Sequence, residues 1–331
     1  MTMQISEPLR RRTLLGHGVG ALAAAWPWGA VQAANFPSRV VRVVVPFSSG
    51  GGTEVIGRPL VQAMADILGQ SLIIDNKPGA GTVIGSDLVA KSPPDGHTLL
   101  MTTNALAINA SLMPKLPYDT MKDLPPVGRI CNGPNIIAVR ADSPIKSVAD
   151  LIKLAQDKPG RLSYASSGNG SAVHLAAELF KIMAKVQIQH IPYRGAGPAY
   201  TDLLGGQVDM LFATAGGAHK YVKSGQMRAI ALTSPQRVEA YAGIPTVAET
   251  LPGYAAEVWY GMFASKGTPT AFIERLNQAL RQAASHPSYQ TALLKDGLTM
   301  TVNTPQEMVE FMKEDIERWR KVVVTAGITT D

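Results

Sequence analysis

Short apolar segments alternate with amphipathic segments along most of the chain. Seven segments rich in apolar and β-branched residues predict strands at 40–45, 71–75, 97–101, 136–139, 188–191, 208–211 and 228–232. Between them, apolar residues at helical spacing predict helices at 54–68, 83–91, 147–157, 171–183 and 197–204. Strands that alternate with helices are typical of α/β proteins with largely parallel sheets.

The C-terminal part of the chain changes character, because two longer helices are predicted there without strands between them. They span 270–284 and 304–325, and Thr304 followed by Pro305 is a typical start for the second. Ser147, Ser171 and Thr53 are expected to cap the predicted helices that follow them.

Pro59 falls inside the first predicted helix. Since proline has no backbone N–H, it is expected to kink this helix or to delay its regular part until after Leu60.

The first 33 residues have the pattern of an export signal. Paired arginines at 10–12 are followed by Leu14, Leu15 and a short apolar stretch, and Val31-Gln32-Ala33 offers small residues for a signal peptidase. The arginines predict a twin-arginine signal, with a Sec signal as the alternative. The apolar stretch is too short for a membrane span, which needs about 20 residues. We therefore expect a periplasmic chain that begins at Ala34.

The net charge of the chain indicates which kind of partner it binds. The formal charge is +6, and loss of three arginines and Glu7 on export leaves +6 − 3 + 1 = +4, with no basic run. A nucleic-acid partner is not indicated, whereas an acidic small molecule fits.

Cys131 is the only cysteine, so no internal disulfide is possible, and its apolar neighbours indicate a core position. The 331 − 33 = 298 remaining residues suit two domains.

Three glycine-rich loops each join a predicted strand to a predicted helix, around residues 46–53, 166–171 and 192–197. The first N–H groups of a helix lack internal partners and carry partial positive charge, so such turns can bind anions. The first loop lacks the lysine of a Walker motif and the G-x-G-x-x-G spacing, which argues against a nucleotide. It is either a plain tight turn or a cradle for a small anion such as a carboxylate.

Side chains in these loops have both structural and ligand-binding interpretations. Ser171 can cap a helix or donate to a ligand, and Asn169 can present its amide from a left-handed backbone. Arg194 at a strand end is a natural partner for a carboxylate. Asp209 is expected either to pair with Arg194, which is favoured, or to contact a ligand amine.

The sequence contains no recognisable catalytic or metal-binding set. A G-x-S-x-G elbow is missing, and the six histidines do not have the spacing of zinc ligands. An exported hydrolase that uses Ser167 or Ser171 with His174 is the enzyme alternative. The prediction is a protein without catalytic residues, cofactor or metal.

Seven segments occur in a fixed order along the chain. They are VPFSSGGGTEVIGR, DNKPGAGTVIGSDLVAKSPPDGHTLL, LPYDTMKDLPPVGRI, SYASSGNGSAVHLAAELFK, IPYRGAGPAYTDLLGGQVDMLF, IPTVAETLPGY and WYGMFASKGTP. Together they resemble the Bug-type substrate-binding proteins of tripartite tricarboxylate transporters. The resemblance covers essentially the whole mature chain. It departs from the usual family pattern at Ser49, Glu54, Thr82 and His97.

The resemblance implies a two-lobed, type II periplasmic-binding-protein fold, in which two α/β domains are joined by two crossing strands. Lobe 1 would comprise 34–135 with 256–331, and lobe 2 would comprise 136–255. The crossings would be 128–139 and 257–264, which gives Cys131 and Trp259 structural roles. The last helix would pack on lobe 1.

The resemblance also implies which residues line the ligand site between the lobes. They are Phe47, Ser48, Ser49, Gly50, Gly51, Thr53, Thr103, Asn104, Ser166, Ser167, Asn169, Ser171, Ala172, Arg194, Gly195, Asp209, Ala213 and Thr214. The uncharged residues at 103–104 and 213–214 favour a ligand whose far end is neutral or bridged by water.

The predicted function is therefore a periplasmic solute receptor that closes around a small organic acid. We expect a monomer that delivers its ligand to a membrane permease of the tripartite tricarboxylate type. A ligand sensor that acts on a signalling partner is the alternative that the sequence leaves open.

Overall fold

The computed structural model describes residues 36–113 and 115–328, without the side chain of residue 326. The predicted export signal and its cleavage site lie outside these residues. No helix in the described ranges is long and apolar enough to cross a membrane.

Ten strands and ten α-helices form the described part of the chain. The strands are β1 Val41–Val45, β2 Leu72–Asn76, β3 Thr98–Thr103, β4 Pro126–Arg140, β5 Ser163–Ser166, β6 Gln189–Pro192, β7 Met210–Thr214, β8 Met227–Leu232, β9 Glu257–Phe263 and β10 Thr299–Met300. The helices are α1 Gly52–Leu68, α2 Val83–Ala90, α3 Ala105–Leu112, α4 Val148–Asp157, α5 Ala172–Ala184, α6 Ala196–Leu204, α7 Ala215–Lys223, α8 Thr270–Ala284, α9 Pro287–Lys295 and α10 Pro305–Ala326.

The strands form two sheets that share one long strand, β4. In the first sheet the order is β2-β1-β3-β9-β4, with β10 also paired to β4. In the second, β4 is followed by β7, β5 and β6, and β8 also pairs with β4. Strand β4 pairs with β9 as far as Pro134 and with β7 from Asn135 onward. One continuous strand therefore connects the two lobes of the molecule.

The change of partner in β4 is fixed by buried hydrogen bonds around Asn135. Its backbone N–H donates to Thr233 Oγ1 at 2.8 Å, and its side-chain Nδ2 donates to the carbonyl of Ala256 at 2.9 Å. The segment that leaves β8 and the segment that enters β9 thus meet beside β4. Both connections between the lobes are held at this one position.

Each sheet is covered by helices on both faces, so its central strands are apolar throughout. In lobe 1, Val43 and Val44 of β1 point to opposite faces and both are fully buried. In lobe 2, Ile136 and Ile137 of β4 do the same. This arrangement explains why the strands appear in the sequence as continuous apolar runs.

Helix α10 packs on lobe 1, as expected. Trp259 Nε1 donates to Asp315 Oδ2 at 2.8 Å, and the Arg129 guanidinium lies 4.3 Å from the ring centre of Phe311. Leu175 of helix α5 belongs to the buried apolar cluster that contains Trp259 and the apolar face of α10, so α10 also contacts lobe 2.

The helix caps are partly as predicted. Ser147, Ser171 and Thr304 each accept a hydrogen bond from a first-turn N–H. The prediction for Thr53 is wrong, because Gly51 is the capping residue and makes no side-chain bond. Thr53 lies inside the first turn of α1.

Helix α1 is continuous from Gly52 through Pro59 to Leu68, so the alternative of a start delayed until after Leu60 is not found. Pro59 and Val55, the residue whose carbonyl its missing N–H would have bonded, are both exposed.

Candidate functional site

Five helix N-termini meet in the cleft between the lobes. From lobe 1, the chain passes from β1 into α1 and from β3 into α3; from lobe 2, it passes from β5, β6 and β7 into α5, α6 and α7. Parallel strands present their carboxyl ends at one edge of a sheet, so the helices that follow start at that edge. Their unbonded N–H groups make such an edge favourable for an anion.

A small cavity lies where these helix starts converge. The space open to the centres of water molecules is about 30 Å³. Its lining consists of Phe47, Gly51, Gly52, Thr53, Thr103, Ser167, Ala172, Val173, Ala196, Phe212, Ala213, Thr214 and Val258. We call it the inner cavity. None of these residues is ionisable, so positive potential in the cavity comes from backbone N–H groups and helix ends.

The first loop of the inner cavity is braced by a buried carboxylate. Glu54 accepts a hydrogen bond from the N–H of Gly50 at 2.7 Å and pairs with the exposed Arg58 one turn along α1. Burial alone would raise the pKa of Glu54. The hydrogen bonds from Gly50, Ser49 and Arg58 outweigh it and hold the pKa below its ordinary value. The loop is therefore fixed by a charged side chain that is not part of the cavity lining.

The second loop, between β5 and α5, is shaped by buried serine and histidine side chains. Ser166 Oγ lies 2.6 Å from His190 Nε2 and accepts a hydrogen bond from the N–H of Gly168. Ser171 Oγ caps α5 by accepting from the N–H of His174 at 3.3 Å. Ser166 and Ser171 thus hold the loop, while Ser167 lines the cavity.

The two histidines behind this loop are held neutral. Their rings are stacked with centres 4.2 Å apart. Burial lowers the pKa of His174 to about 4, although the nearby Glu178 acts in the opposite direction. Burial, with His174 and Lys181 close by, lowers the pKa of His190 to about 3. Both rings are therefore uncharged at neutral pH and serve as packing and hydrogen-bonding groups.

The geometry gives no support to the hydrolase alternative. His174 Nδ1 accepts a hydrogen bond from the N–H of Gly170 at 3.1 Å, so this nitrogen does not face Ser167 or Ser171. Among Ser166, Ser167 and Ser171, the hydroxyl that contacts a histidine ring is that of Ser166, and this residue is completely buried. Within the described ranges, no group of three or more histidine, cysteine, aspartate or glutamate side chains could hold a metal ion.

A second, larger cavity opens from the cleft beside the inner one. It offers about 330 Å³ to the centres of water molecules. It is lined by Pro46, Gly79, Ala80, Gly81, Thr82, Met113, Ser167, Gly168, Asn169, Pro192, Tyr193 and Arg194. We call it the outer cavity. It shares Ser167 with the inner cavity.

The lobes are in direct contact across the cleft. Gly195 has a φ of +122°, and a Cβ built on it would lie 2.1 Å from Ser48 Oγ and 2.7 Å from Ser48 N. Likewise, a Cβ on Gly81 would lie 1.9 Å from the carbonyl oxygen of Asn169. Only glycine allows such close approach of the two backbones. The structure therefore shows the closed arrangement of the lobes.

The structure brings most of the predicted residues to the cleft. Phe47, Gly51, Thr53, Thr103, Ser167, Ala172, Ala213 and Thr214 line the inner cavity, and Ser167, Asn169 and Arg194 line the outer one. Ser48, Ser49, Gly50 and Gly195 belong to the loops that meet there but line neither cavity. Asn104 is buried and donates to the carbonyl of Glu257 at 3.1 Å.

The expected pairing of Asp209 with Arg194 is wrong. Asp209 accepts hydrogen bonds from the N–H and Oγ of Ser163, at 2.8 and 3.0 Å. It directly precedes β7, whereas Thr214 at the other end of that strand lines the inner cavity. Asp209 therefore ties the starts of β5 and β7 together, far from the ligand side of the sheet.

Five residues that line the inner cavity were not predicted: Gly52, Val173, Ala196, Phe212 and Val258. They are glycine or apolar, so their side chains carry no chemical signal. Gly52, Val173 and Ala196 directly follow predicted positions at helix starts, and this adjacency was the one available indication.

Cys131 is fully buried in β4 away from both cavities, and burial raises the pKa of its thiol.

The sequence and the fold of the chain are similar to those of known proteins. Residues 56–328 match the family described as tripartite tricarboxylate transporter family receptor. The chain is 37% identical over 317 residues to a UPF0065 protein from the tcbD–tcbE intergenic region of a Pseudomonas species, covering 95% of this chain and 94% of that protein. It is 36% identical over 300 residues to the protein BugT of Bordetella pertussis, covering 90% and 92%.

Two solved structures of high similarity contain carboxylates. A protein of R. palustris with adipate has a TM-score of 0.86 and 35% identity, covering 89% of this chain and 99% of that chain. MatC from Rhodopseudomonas palustris with bound malate has a TM-score of 0.83 and 32% identity, covering 87% and 100%.

Proposed function

The chain belongs to the tripartite tricarboxylate transporter receptor family, and from this premise we propose that it binds a small organic carboxylate between its lobes. The family consists of solute receptors, so the prediction of a receptor instead of an enzyme is confirmed. The two-lobed fold inferred from the resemblance is confirmed as well.

The observation that carries the proposal is the convergence of helix N-termini on an inner cavity without ionisable side chains. A carboxylate placed there accepts hydrogen bonds from backbone N–H groups and from hydroxyls such as those of Thr53 and Thr214. Each helix end contributes roughly 0.3–1 kcal/mol toward an anion. Several ends acting together stabilise one carboxylate group without a dedicated arginine or lysine.

Closure of the lobes completes the site. Gly51, Gly52 and Thr53 belong to lobe 1, whereas Ala172, Ala196 and Thr214 belong to lobe 2. A ligand that contacts both sets stabilises the closed arrangement more than an open one. Closure also removes water, which strengthens each N–H to carboxylate interaction. The closed receptor would then present a surface composed of both lobes.

The family also indicates in which compartment the receptor works and with which kind of partner. Its members are receptors of tripartite transporters, and solved relatives are described as periplasmic. We propose that this chain is exported by its N-terminal segment, through the twin-arginine route or Sec, and works in the periplasm as a monomer. Its partner would be the membrane permease of such a transporter, to which the closed, loaded form delivers its ligand.

The test is a ligand screen on residues 34–331 after unfolding and refolding to remove any bound compound. We expect a small set of carboxylates to raise the melting temperature, while their methyl esters and amides do not. A ligand present at a hundred times its dissociation constant adds about 2.7 kcal/mol to the free energy of unfolding. No shift with any organic acid, or chemical conversion of a compound during incubation, would contradict the proposal.

A further inference from the structure

The β5–α5 loop, residues 166–171, belongs both to the cavity lining and to the contact between the lobes. Ser167 lines both cavities, and Asn169 lines the outer one. The carbonyl oxygen of Asn169 also lies against Gly81 of lobe 1, where a built Cβ would come within 1.9 Å of it. The conformation of this loop therefore affects ligand contacts and closure together.

Two backbone N–H groups of the loop are held by side chains that are not part of the cavity lining. The N–H of Gly170 donates to His174 Nδ1 at 3.1 Å. The N–H of Gly168 donates to Ser166 Oγ at 3.1 Å, and this hydroxyl lies 2.6 Å from His190 Nε2. The two histidine rings thus hold the loop without lining either cavity.

The hydrogen bond from Gly170 requires an uncharged His174 ring. A ring nitrogen accepts a hydrogen bond only when it carries no proton, and a charged imidazole has a proton on both nitrogens. The proton of the neutral ring is therefore on Nε2, which lies 4.0 Å from Glu178 Oε1. That carboxylate already accepts hydrogen bonds from Lys181 and from the hydroxyl of Tyr164, so Lys181 balances its charge.

The two histidine rings form one stack with a tyrosine. His190 lies between His174 and Tyr164, with ring centres 4.2 and 4.7 Å apart. A positive charge on one ring repels a charge on the other, and Lys181 opposes a charge on either. The titratable groups that face the two rings are thus Glu178 and Lys181 of α5 and Tyr164 of β5. A proton that enters the stack disturbs both rings together.

We propose that His174 and His190 are positioning residues for the ligand, because their stacked rings set the β5–α5 loop in its ligand-binding conformation. The proposal rests on the proposed function, since it assumes that a carboxylate binds between the lobes. A proton on His174 removes the acceptor of the Gly170 N–H and releases the loop. Ligand affinity is then controlled by two groups that do not touch the ligand.

This arrangement gives the affinity a defined dependence on pH. The pKa values of His174 and His190 are about 4 and about 3 while the rings hold the loop, and a released ring regains the ordinary value of about 6.5. Affinity is therefore full above about pH 6.5 and falls as the pH is lowered, by at most about tenfold per pH unit for each histidine.

The first test compares two substitutions of His174 at pH 7.5. His174→Asn keeps an acceptor near the position of Nδ1, whereas His174→Leu has none. Titration calorimetry on the refolded residues 34–331 uses adipate, malate and the acid that gives the largest shift in the ligand screen. We expect His174→Leu to weaken binding about tenfold and His174→Asn to remain within about threefold of the wild type.

His97→Leu is the matched control for these variants. His97 is also buried, and its Nε2 accepts a hydrogen bond from the N–H of Ser38 at 3.2 Å. It precedes β3, however, whereas Thr103 at the other end of that strand lines the inner cavity. His97→Leu should lower the free energy of unfolding in urea and leave the affinity unchanged.

The second test measures affinity between pH 7.5 and 5 for the wild type and His174→Asn, with circular dichroism to confirm that both are folded. Protonation of the acid itself affects both proteins equally, so the ratio of their dissociation constants isolates the histidine. This ratio should be constant above pH 6.5, and the wild type should become the weaker binder by at least about threefold at pH 5.

The outcomes separate this inference from the proposed function. If no carboxylate binds the wild type, the proposed function fails and takes the inference with it. If His174→Leu loses stability but binds as tightly as the wild type, the rings are only structural and the inference alone is overturned. A ratio that does not change with pH also overturns it, even where His174→Leu does not fold. Loss of affinity in His174→Leu, with binding kept in His174→Asn and His97→Leu, supports it.

Discussion

Gly195 of lobe 2 touches Ser48 of lobe 1 so closely that no side chain fits between them. A Cβ at residue 195 would lie 2.7 Å from the backbone nitrogen of Ser48, and the glycine also has a left-handed φ of +122°. Because the nitrogen of Ser48 is a backbone atom, a different rotamer of the Ser48 side chain cannot relieve the overlap. The contact is therefore a steric condition for closure of the cleft.

Gly195→Ala should impair ligand binding more than folding. The added methyl group prevents the loops from meeting, so we expect at least a tenfold loss of affinity in titration calorimetry. The change also strains the backbone, at a cost of about 1 kcal/mol. Gly225→Ala is the control, because Gly225 also has positive φ but meets no atom within 4 Å of a built Cβ. Equal loss of affinity in both variants would show that strain, and not the lobe contact, is responsible.

Glu54 should contribute to stability through its bonds to the first loop. Glu54→Ala leaves the N–H of Gly50 without its acceptor, and we expect a loss of about 1–3 kcal/mol in the free energy of unfolding measured with urea. Arg58→Ala should cost less than about 1 kcal/mol, because Arg58 is largely exposed. A larger effect of Arg58→Ala would mean that the ion pair, and not the backbone hydrogen bond, braces the loop.

Alanine at Ser167 and alanine at Ser171 should change different properties, ligand affinity for the first and stability for the second. Ser171→Ala removes the cap of α5 and should lower the free energy of unfolding by about 1 kcal/mol. Ser167→Ala should leave stability nearly unchanged but weaken ligand binding, since Ser167 lines both cavities. Urea unfolding and calorimetry on both variants check this. If Ser167→Ala binds normally, this hydroxyl is not a ligand contact.

The buried histidines should make stability depend on pH. The pKa values of His174 and His190 in the folded chain are about 4 and about 3, below the ordinary value of 6.5. Between about 6.5 and 4 the unfolded chain therefore binds more protons than the native chain. Stability is full above pH 6.5 and falls as the pH is lowered, by at most about 1.4 kcal/mol per pH unit for each histidine.

His190→Gln tests this dependence, because glutamine cannot titrate but can still bond Ser166. Urea unfolding between pH 7.5 and 4.5 should give a shallower decline for the variant than for the wild type. Parallel curves for the two proteins would mean that His190 does not contribute to the pH dependence.

The sequence predicted the strands that are apolar on both faces but not those interrupted by turn residues. Strand β4 spans Pro126–Arg140, yet the apolar pattern by itself predicted only 136–139, because Gly128, Gly133 and Pro134 interrupt it. The longer crossing at 128–139 came from the family resemblance alone. Pairing with β9 nevertheless continues past all three residues, with register shifts before Gly128 and between Arg129 and Cys131. Helices α3, α7 and α9 were missed as well. They are only eight or nine residues long, and tertiary packing contributes more than the local pattern to the stability of such short helices.

For the site, the sequence indicated which loops form it but not which end of each strand faces the ligand. Asp209 was included because a charge beside an apolar strand suggests function, and excluding it required the position of β7 in the sheet. Gly52 and Ala196 were missed because they contribute backbone, which carries no signature in residue type. Sequence patterns report side-chain chemistry, whereas this cleft is built mainly from helix ends.

The course of β4 through both sheets has a consequence for the order of synthesis. Lobe 2 is a single stretch of chain between Asn135 and Ala256, so it is complete as soon as that stretch has been made. Lobe 1 is not, because β9 lies between β3 and β4 and is translated after all of lobe 2. Until Phe263 has been synthesised, β3 and the first half of β4 have open edges. Lobe 1, which contains the first strand of the described chain, is therefore the last to close its sheet.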